Sequence, residues 1–502
     1  MRRALAFLRP ATLVALCGLL LAPGLWLGPS FDASVYTLAG VVIDQGRMPY
    51  TNLFDNKPPG LYMVNAFGGA LLSWLQPWIV TWILTLAFTG TTVVIIDLLL
   101  RRRLPAVGSY LVSAVCAVGI AAHPLAFGGG LTESFAVLPL VVSLWAVDRL
   151  QPNLGRAALV GFLGGLESLL SIQGVPVAAI LVVAVAVGAG SRRNMFKAAA
   201  LAIACGAAVP VAVVAWLAAR GALGDAIDEV VFYNFAYRGS SPGFDYAVPA
   251  AGLILAGLAV PVAALAASMI RRRKEFDRTL WVCLAWVVAL VIMIGYENRL
   301  FLHYLILAVP ALVMLWGPGV GRLIAHFGSA DRRTRYLAVA GASSTAALGV
   351  VSAFAIIGLT GVTMSAAWQA EAVTSATAGW LDANTPASAT VFVWGNDTGL
   401  FLASGRSPYD RYIYQYPLVT FGYASPEKTA AILRAWTASP PTVVVEAPAN
   451  VPMFDQPSAH AAPFDDDTLA PLRDFVRGHY HLVATFGSGG DVEHVYLSVG
   501  SS

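Results

Sequence analysis

FDASVYTLAGVVIDQGRMPYTNLFDNKPPG, Phe31 to Gly60, follows the first apolar segment of the chain and sets Asp32, Asp44, Asp55 and Lys57 in one stretch. Val35, Leu38, Ala39, Val42 and Ile43 recur at i, i+3, i+4, i+7 and i+8, the spacing of one apolar helical face. This predicts an amphipathic helix lying in a membrane interface, with Asp32 as its N-cap and Gly46 as its C-terminal stop. A turn follows at Met48–Pro49, Pro58–Pro59 interrupt the chain, and Leu61–Leu75 resume a helical apolar pattern. Lys57 is one of only four lysines, the others being Lys197, Lys274 and Lys428, while arginine serves elsewhere. A lysine kept at this point suggests a specific anion.

Outward from this stretch the chain is overwhelmingly apolar. Of 502 residues, 58% are hydrophobic and 12% charged, about half the charge of an ordinary soluble domain at ~25%. Runs long enough to cross ~30 Å of hydrocarbon fall near 11–28, 78–100, 106–122, 134–149, 157–172, 174–190, 198–219, 248–270, 279–295, 302–318 and 337–361, about eleven spans. Basic clusters (Arg2/Arg3/Arg9, Arg101–Arg103, Arg149/Arg156, Arg192/Arg193/Lys197, Arg271–Lys274, Arg332/Arg333/Arg335) occupy every second loop. By the positive-inside rule the N-terminus is cytoplasmic and Phe31–Gly60 is outside. The chain therefore reads as a multi-pass plasma-membrane protein, and the net charge of +3 sums two sides of a bilayer rather than marking a nucleic-acid surface. Cys17, Cys116, Cys205 and Cys283 each sit within an expected span, which argues against a disulfide framework or thiolate metal site. The opening MRRALAFLRP is expected to stay attached, because Ala22-Pro23-Gly24 and Gly28-Pro29-Ser30 match a signal-peptide cleavage site poorly.

Two domains are expected: a membrane domain over 1–361, with its first outer loop at 29–77, and an extracytoplasmic domain over 362–502. In the latter a helical segment near 372–383 leads to a strand at Thr390–Trp394. A helix at Pro426–Trp436 leads to Thr442–Glu446, and a helix at Leu469–Arg477 precedes strands near His481–Phe486 and Val492–Val499. Alternating helix and strand imply a small α/β layer. Its connection Gly395–Thr420, carrying Arg406, Asp410 and Arg411 among aromatic residues, is placed to roof a site at the membrane. Further outer loops are His123–Glu133 and Arg220–Val248, the second holding Asp225, Asp228, Glu229, Tyr233 and Asn234.

The order of these features resembles the lipid-donor glycosyltransferases of the GT-C fold, in particular the protein O-mannosyltransferase and aminoarabinose-transferase branch. The features are Asp32 after the first span with Tyr36 one turn on, Lys57-Pro58-Pro59, Thr132-Glu133, and Arg299-x-x-x-His303-Tyr304. Gly405-Arg406-Ser407-Pro408 and Arg411-Tyr412 in the tail look like those of many bacterial members, and the Ala-, Gly- and Arg-rich, Lys-poor composition looks bacterial too. The resemblance implies a polytopic helical protein with a polyprenyl-phosphate sugar as donor and an envelope glycan, lipid or protein as acceptor. It points to Asp32 as catalytic and to Tyr36, Asp55, Lys57, Glu133, Arg299, His303 and Tyr304 as substrate-binding. It leaves a divalent cation open, with no certain cofactor. Where many members carry Glu after the Asp this chain has Ala33, which removes the second acid a metal would use.

The chemistry suits these residue types. A polyprenyl phosphate leaves as an anion, so its departure calls for positive charge, which Lys57 and Arg299 supply. The acceptor hydroxyl loses a proton as it attacks, which calls for one carboxylate base. A base and a leaving group on opposite faces of the sugar imply inversion. Whether the sugar is a hexose or a pentose is not written in these residues. Two rival readings are a transporter or flippase of a lipid-linked sugar, whose charges belong near mid-membrane rather than at the outer surface where most collect here, but which Glu167 and Gln173 near the fifth span keep open, and a non-catalytic envelope-assembly protein.

Overall fold

The computed structural model describes residues 2–239, 277–297, 301–326, 358, 360–447, 469–488 and 491–499. The expected span 248–270, nearly all of 337–361, and Arg299 lie outside the described residues. The chain divides into two compact units.

The first unit comprises Met1–Leu25, Trp82–Val213 and Phe244–Thr363, and its described regular elements are all helices. Helix α1 spans Arg2–Leu21; α4, Pro77–Leu100, and α5, Ala106–Ala121, follow two helices of the other unit. Then come Thr132–Arg149, Leu154–Ser168, Val175–Val187, Arg192–Ala219, Arg278–Glu297 and Val309–His326. From Pro77–Leu100 to Arg278–Glu297 the bounds lie within six residues of the expected spans, because apolar runs have no alternative to helix in hydrocarbon, even with Pro139 and Pro210 inside two of them. Helix α1 instead begins nine residues before the expected span 11–28 and ends seven residues short of its end. Among the described residues, Leu8–Leu25, Pro77–Leu100, Arg192–Ala219 and Arg278–Tyr296 are long and apolar enough to cross a membrane, with Ala106–Ala121 and Ile172–Val187 shorter but apolar. The expected span at 302–318 differs: it opens as a 3-10 segment, Leu302–Leu307, before the helix Val309–His326.

Small residues bring two of these helices together. Gly161 and Gly165, four apart on Leu154–Ser168, meet the backbone of Ala202 and Gly206 on Arg192–Ala219, so a Cβ on either glycine would overlap main-chain atoms. This is the close approach that membrane helices use where no hydrophobic drive exists between apolar surfaces. At one end of the bundle arginines and acids fasten helix termini to one another. Asp97, buried in α4, takes Arg9 and Arg101. Arg103 joins Asp148 at 2.8 Å and Asp277 at 2.5 Å.

The second unit comprises Trp26–Thr81, Val214–Gly243 and Met364–Ser502. Its first helix, α2 (Phe31–Asp44), differs from expectation in two respects. Ser30 is the N-cap, its side chain accepting from the Ala33 N–H, and Asp32 sits inside the first turn; serine and aspartate both cap well, and here the hydroxyl occupies the cap position. The helix is also enclosed on more than its apolar face, since Ser34, Tyr36, Thr37 and Gly40 are buried along with Val35, Leu38, Ala39 and Val42. The reason is α3, Gly60–Leu71, which crosses α2 so closely that a Cβ on Gly40 would lie 2.6 Å from that of Asn65. Asn65 donates to the Tyr36 carbonyl at 3.0 Å and accepts from Thr81 at 3.1 Å. The C-terminal stop is as read: Gly46 has φ +75°, its N–H bonds the Ile43 carbonyl and that of Arg47 bonds the Val42 carbonyl, a Schellman closure.

The tail forms a five-stranded sheet of order β2-β1-β3-β5-β4, with β1 Thr390–Trp394, β2 Ser407–Pro408, β3 Val443–Glu446, β4 Tyr480–Ser488 and β5 Asp491–Ser498. β1 pairs in parallel with β2 and β3, and β5 runs antiparallel to β3 and β4. Helices Pro426–Ala438 and Ala470–His479 supply Trp436, Leu472 and Val476 to a core with Phe392, Trp394 and Val444. A longer helix than expected, over residues 360–384, precedes the sheet.

Candidate active site

The stretch between α2 and α3 is short of regular structure yet tightly fixed. Pro49 and Tyr50 turn it, Tyr50 holding a left-handed φ of +67°. That conformation costs a non-glycine residue of order 1 kcal/mol and is held by two bonds. The Tyr50 N–H donates to the Leu53 carbonyl at 2.8 Å, and its hydroxyl donates to the Lys57 carbonyl at 2.8 Å. The main chain of Lys57 is thereby set, and its side chain is half-buried.

Asp55 is buried, at 4% exposure. Its carboxylate accepts from the Tyr62 hydroxyl of α3 and from the Tyr414 hydroxyl of the tail at 3.2 Å. Burial raises its pKa from 3.8 to about 6, opposed by the Tyr62 hydrogen bond and the Lys57 charge and reinforced by nearby Asp32. Tyr36, one turn beyond Asp32, is buried and stacks on Tyr62 with centroids 6.1 Å apart. Asp32 is half-buried, and among the described residues no hydrogen bond or ion pair engages its carboxylate. Four of the expected residues, Asp32, Tyr36, Asp55 and Lys57, thus gather on one loop and its flanking helices.

Two segments far apart in sequence close over this loop. The Phe54 N–H donates to the Arg411 carbonyl at 2.7 Å. The Arg411 guanidinium engages Asp225 at 3.0 Å and the fully buried Glu229, while Glu229 also accepts the Asp55 N–H at 2.8 Å. Asp225 and Glu229 are four apart on a helical run, one face of it, where the expected outer loop 220–248 is instead helical from Leu223 to Gly239. Phe54 is ringed by Tyr233, Tyr412, Tyr414 and Tyr423 at 5.1 to 6.2 Å. Arg406, in contrast, bonds the Leu381 and Thr385 carbonyls, both at 3.1 Å, and Asp382, which ties it to the end of helix 360–384.

The remaining expected residues belong to the first unit. Glu133 lies buried in the first turn of Thr132–Arg149. It follows Gly128, Gly129 and Gly130, whose φ of +81°, +113° and +83° explain three consecutive glycines, since side chains resist that region. His303 and Tyr304 are buried in the 3-10 segment, which packs on Thr132–Arg149. The His303 ring stacks on Phe301 at 5.4 Å and meets Tyr304 edge-on at 4.9 Å.

Sequence reading missed Tyr62 and Tyr414 as partners of Asp55, named Glu229 only as a loop residue, and named Arg411 in the roofing connection and a tail motif without its acidic partners. The i, i+4 acids Asp225 and Glu229 were the one available signal. As to a metal, the described residues bring together no group of three His, Cys, Asp or Glu side chains able to hold one. Asp55 already receives two tyrosine hydroxyls, so this donor set does not fit a metal ion.

A helical membrane bundle with acid and base on its first inter-helical loop and an α/β layer in the tail defines a protein of the GT-C fold. The chain is similar over its full length to the crystal structure of ArnT from Cupriavidus metallidurans bound to undecaprenyl phosphate, with 13% identity, TM-score 0.62 and coverage of 100% of this chain and 99% of that one. The apo state of the same protein gives 14% identity and a TM-score of 0.61. The Archaeoglobus fulgidus oligosaccharyltransferase tethered with an acceptor peptide aligns at TM-score 0.54 and 13% identity, over 87% of this chain and 69% of that one. No protein-family model matches the sequence, and no curated protein matches it. The likeness establishes the fold.

Proposed function

We propose that this protein is an integral-membrane glycosyltransferase that moves a sugar from a polyprenyl-phosphate donor to an acceptor at the extracytoplasmic face, with inversion. The observation that carries the reading is the contrast between two carboxylates, one in the first turn of α2 and one on the loop that follows it. Asp55 is buried and satisfied by two hydroxyls, whereas Asp32 is half-buried and engaged by no described donor. A carboxylate left open is what a general base for an acceptor hydroxyl requires. In this reading Lys57, with Arg299, takes the donor phosphate, Tyr36 and Asp55 line the site, and Glu133, His303 and Tyr304 contribute to substrate binding. About eleven spans, a membrane domain over 1–361 and an extracytoplasmic domain over 362–502 complete the proposal. The fold likeness to ArnT, solved with undecaprenyl phosphate, supports the donor class.

The test is Asp32→Asn, nearly isosteric and away from the Ser30 cap. Transfer from a radiolabelled polyprenyl-phosphate sugar in membranes is expected to fall roughly 10²-fold or more, the size of general-base loss, with unchanged expression and thermal stability. Near wild-type turnover would sink the base assignment. The transporter reading draws on Glu167, fully buried with neither carboxylate oxygen hydrogen-bonded among the described residues. It sits in the last turn of Leu154–Ser168, at a helix end rather than mid-span, where a transport site is expected.

A further inference from the structure

At the end of the bundle where arginines gather, Arg156 and Arg278 have no acid among the described residues. Arg156, in the first turn of Leu154–Ser168, is 3% exposed. Its Nη1 donates to the Leu150 and Val147 carbonyls at 3.1 and 3.5 Å, the closing carbonyls of the preceding helix. Its Nη2 and the Nη1 of Arg278, at the start of Arg278–Glu297, both reach Gly188, just past the end of Val175–Val187, where an added Cβ would collide with each.

The acids nearby are occupied. Asp148 takes Arg103, Arg102 and the Thr279 hydroxyl, and Asp277 takes Arg103 and the Leu280 N–H. Among the described residues no carboxylate pairs with Arg156 or Arg278, and Arg156 Nε has no partner. The C-termini of the two helices beneath them contribute roughly half a negative charge each, which offsets only about one of the two guanidinium charges. A buried, uncompensated arginine is costly unless an anion completes it.

We propose that Arg156 and Arg278, with Gly188 giving them room, form a binding site for a phosphate group, supplied by the headgroup of an anionic phospholipid. Two guanidinium forks on one point suit the oxygens of a phosphate. The lipid source is favoured by what lies alongside: Val183 and Val187, in the last two turns before Gly188, are 60% and 53% exposed, and Trp281, one turn from Arg278, is 47% exposed. That is an apolar seat for acyl chains beside a charged headgroup site, with a tryptophan at the boundary.

The test uses the full chain purified in neutral detergent, with phosphatidylglycerol added in mixed micelles and, in a separate arm, inorganic phosphate. Thermal unfolding and native mass spectrometry are the readouts. Phosphatidylglycerol is expected to raise the unfolding temperature and to remain bound in the gas phase. Arg278→Gln, an exposed site that leaves Arg156 and its helix-capping bonds intact, is expected to weaken the apparent affinity about tenfold, the loss of one charge-assisted contact. Arg193→Gln, another exposed arginine, is expected to leave it unchanged. Stabilisation by inorganic phosphate alone, lost in Arg278→Gln, supports the phosphate site with a free anion as its source. Absence of stabilisation in both arms, or equal losses in Arg278→Gln and Arg193→Gln, overturns the site and leaves the arginines as helix caps.

Discussion

Asp32 and Asp55 show how one stretch of chain gives two carboxylates different surroundings. Both are aspartates on the same stretch, and nothing in their side chains distinguishes them; the environment does. Desolvation raises Asp55 to about 6, so the folded protein binds its proton more tightly than the unfolded chain, whose aspartate titrates near the ordinary 3.8. Stability contributed by the protonated form is full below that value and is lost as pH rises through about 6, by up to roughly 3 kcal/mol. Asp55→Asn is therefore expected to flatten the dependence of unfolding temperature on pH between about 4 and 6. A variant whose pH profile overlays wild type would mean that Asp55 is solvated. Asp55 was legible as a neighbour of Lys57, but its satisfaction by Tyr414 was not, because no periodicity links residues 359 apart.

Elements were more legible than their caps. Strand Thr390–Trp394 and the start of helix Pro426–Ala438 stand where period and turn residues put them, and α2 closes at Gly46 because only glycine relaxes into that φ. The N-terminus of α2 was misread since Ser30 and Asp32 are both good caps two residues apart. The assignment gives a clean separation of roles. Ser30→Ala is expected to lower stability by about 1 kcal/mol while leaving sugar transfer, normalised to folded protein, within a few-fold of wild type. A collapse of transfer at unchanged stability would give the hydroxyl a chemical role instead. Enclosure of the polar side of α2 could not be read either, since the hydrophobic pattern marks one apolar face and Tyr36, Thr37 and Gly40 look solvent-directed until α3 is laid across them.

At the scale of the whole molecule, Arg411 fastens the tail segment to the loop through Asp225 and Glu229. Removing it would strand Glu229, which is 0% exposed, and breaking a buried pair from one side costs about 3–5 kcal/mol. Arg411→Ala is expected to make the tail sensitive to limited proteolysis and to lower the unfolding temperature, with Glu229→Gln recovering part of the loss. Full proteolytic resistance of Arg411→Ala would show that the aromatic ring around Phe54 suffices alone. Topology gives the last expectation. In a background without Cys17, Cys116, Cys205 and Cys283, a cysteine at the exposed Ala403 is expected to react with a membrane-impermeant thiol reagent in intact cells, and one at the exposed Ser191 only after lysis. The reverse pattern would place the tail and the first loop in the cytoplasm and remove the proposed donor site.

By itself the sequence determined what local physics controls. Apolar runs too long for a soluble core dictate helices, alternating basic clusters give their expected orientation, and helix–strand alternation in the tail gives an α/β layer. The tertiary structure decided which charges meet. Asp55 with Tyr414, and Arg411 with Asp225 and Glu229, are joined across separations of more than 180 residues. Hydrogen bonds and ion pairs depend on distance in space, and neither hydrophobic period nor spacing along the chain encodes that distance.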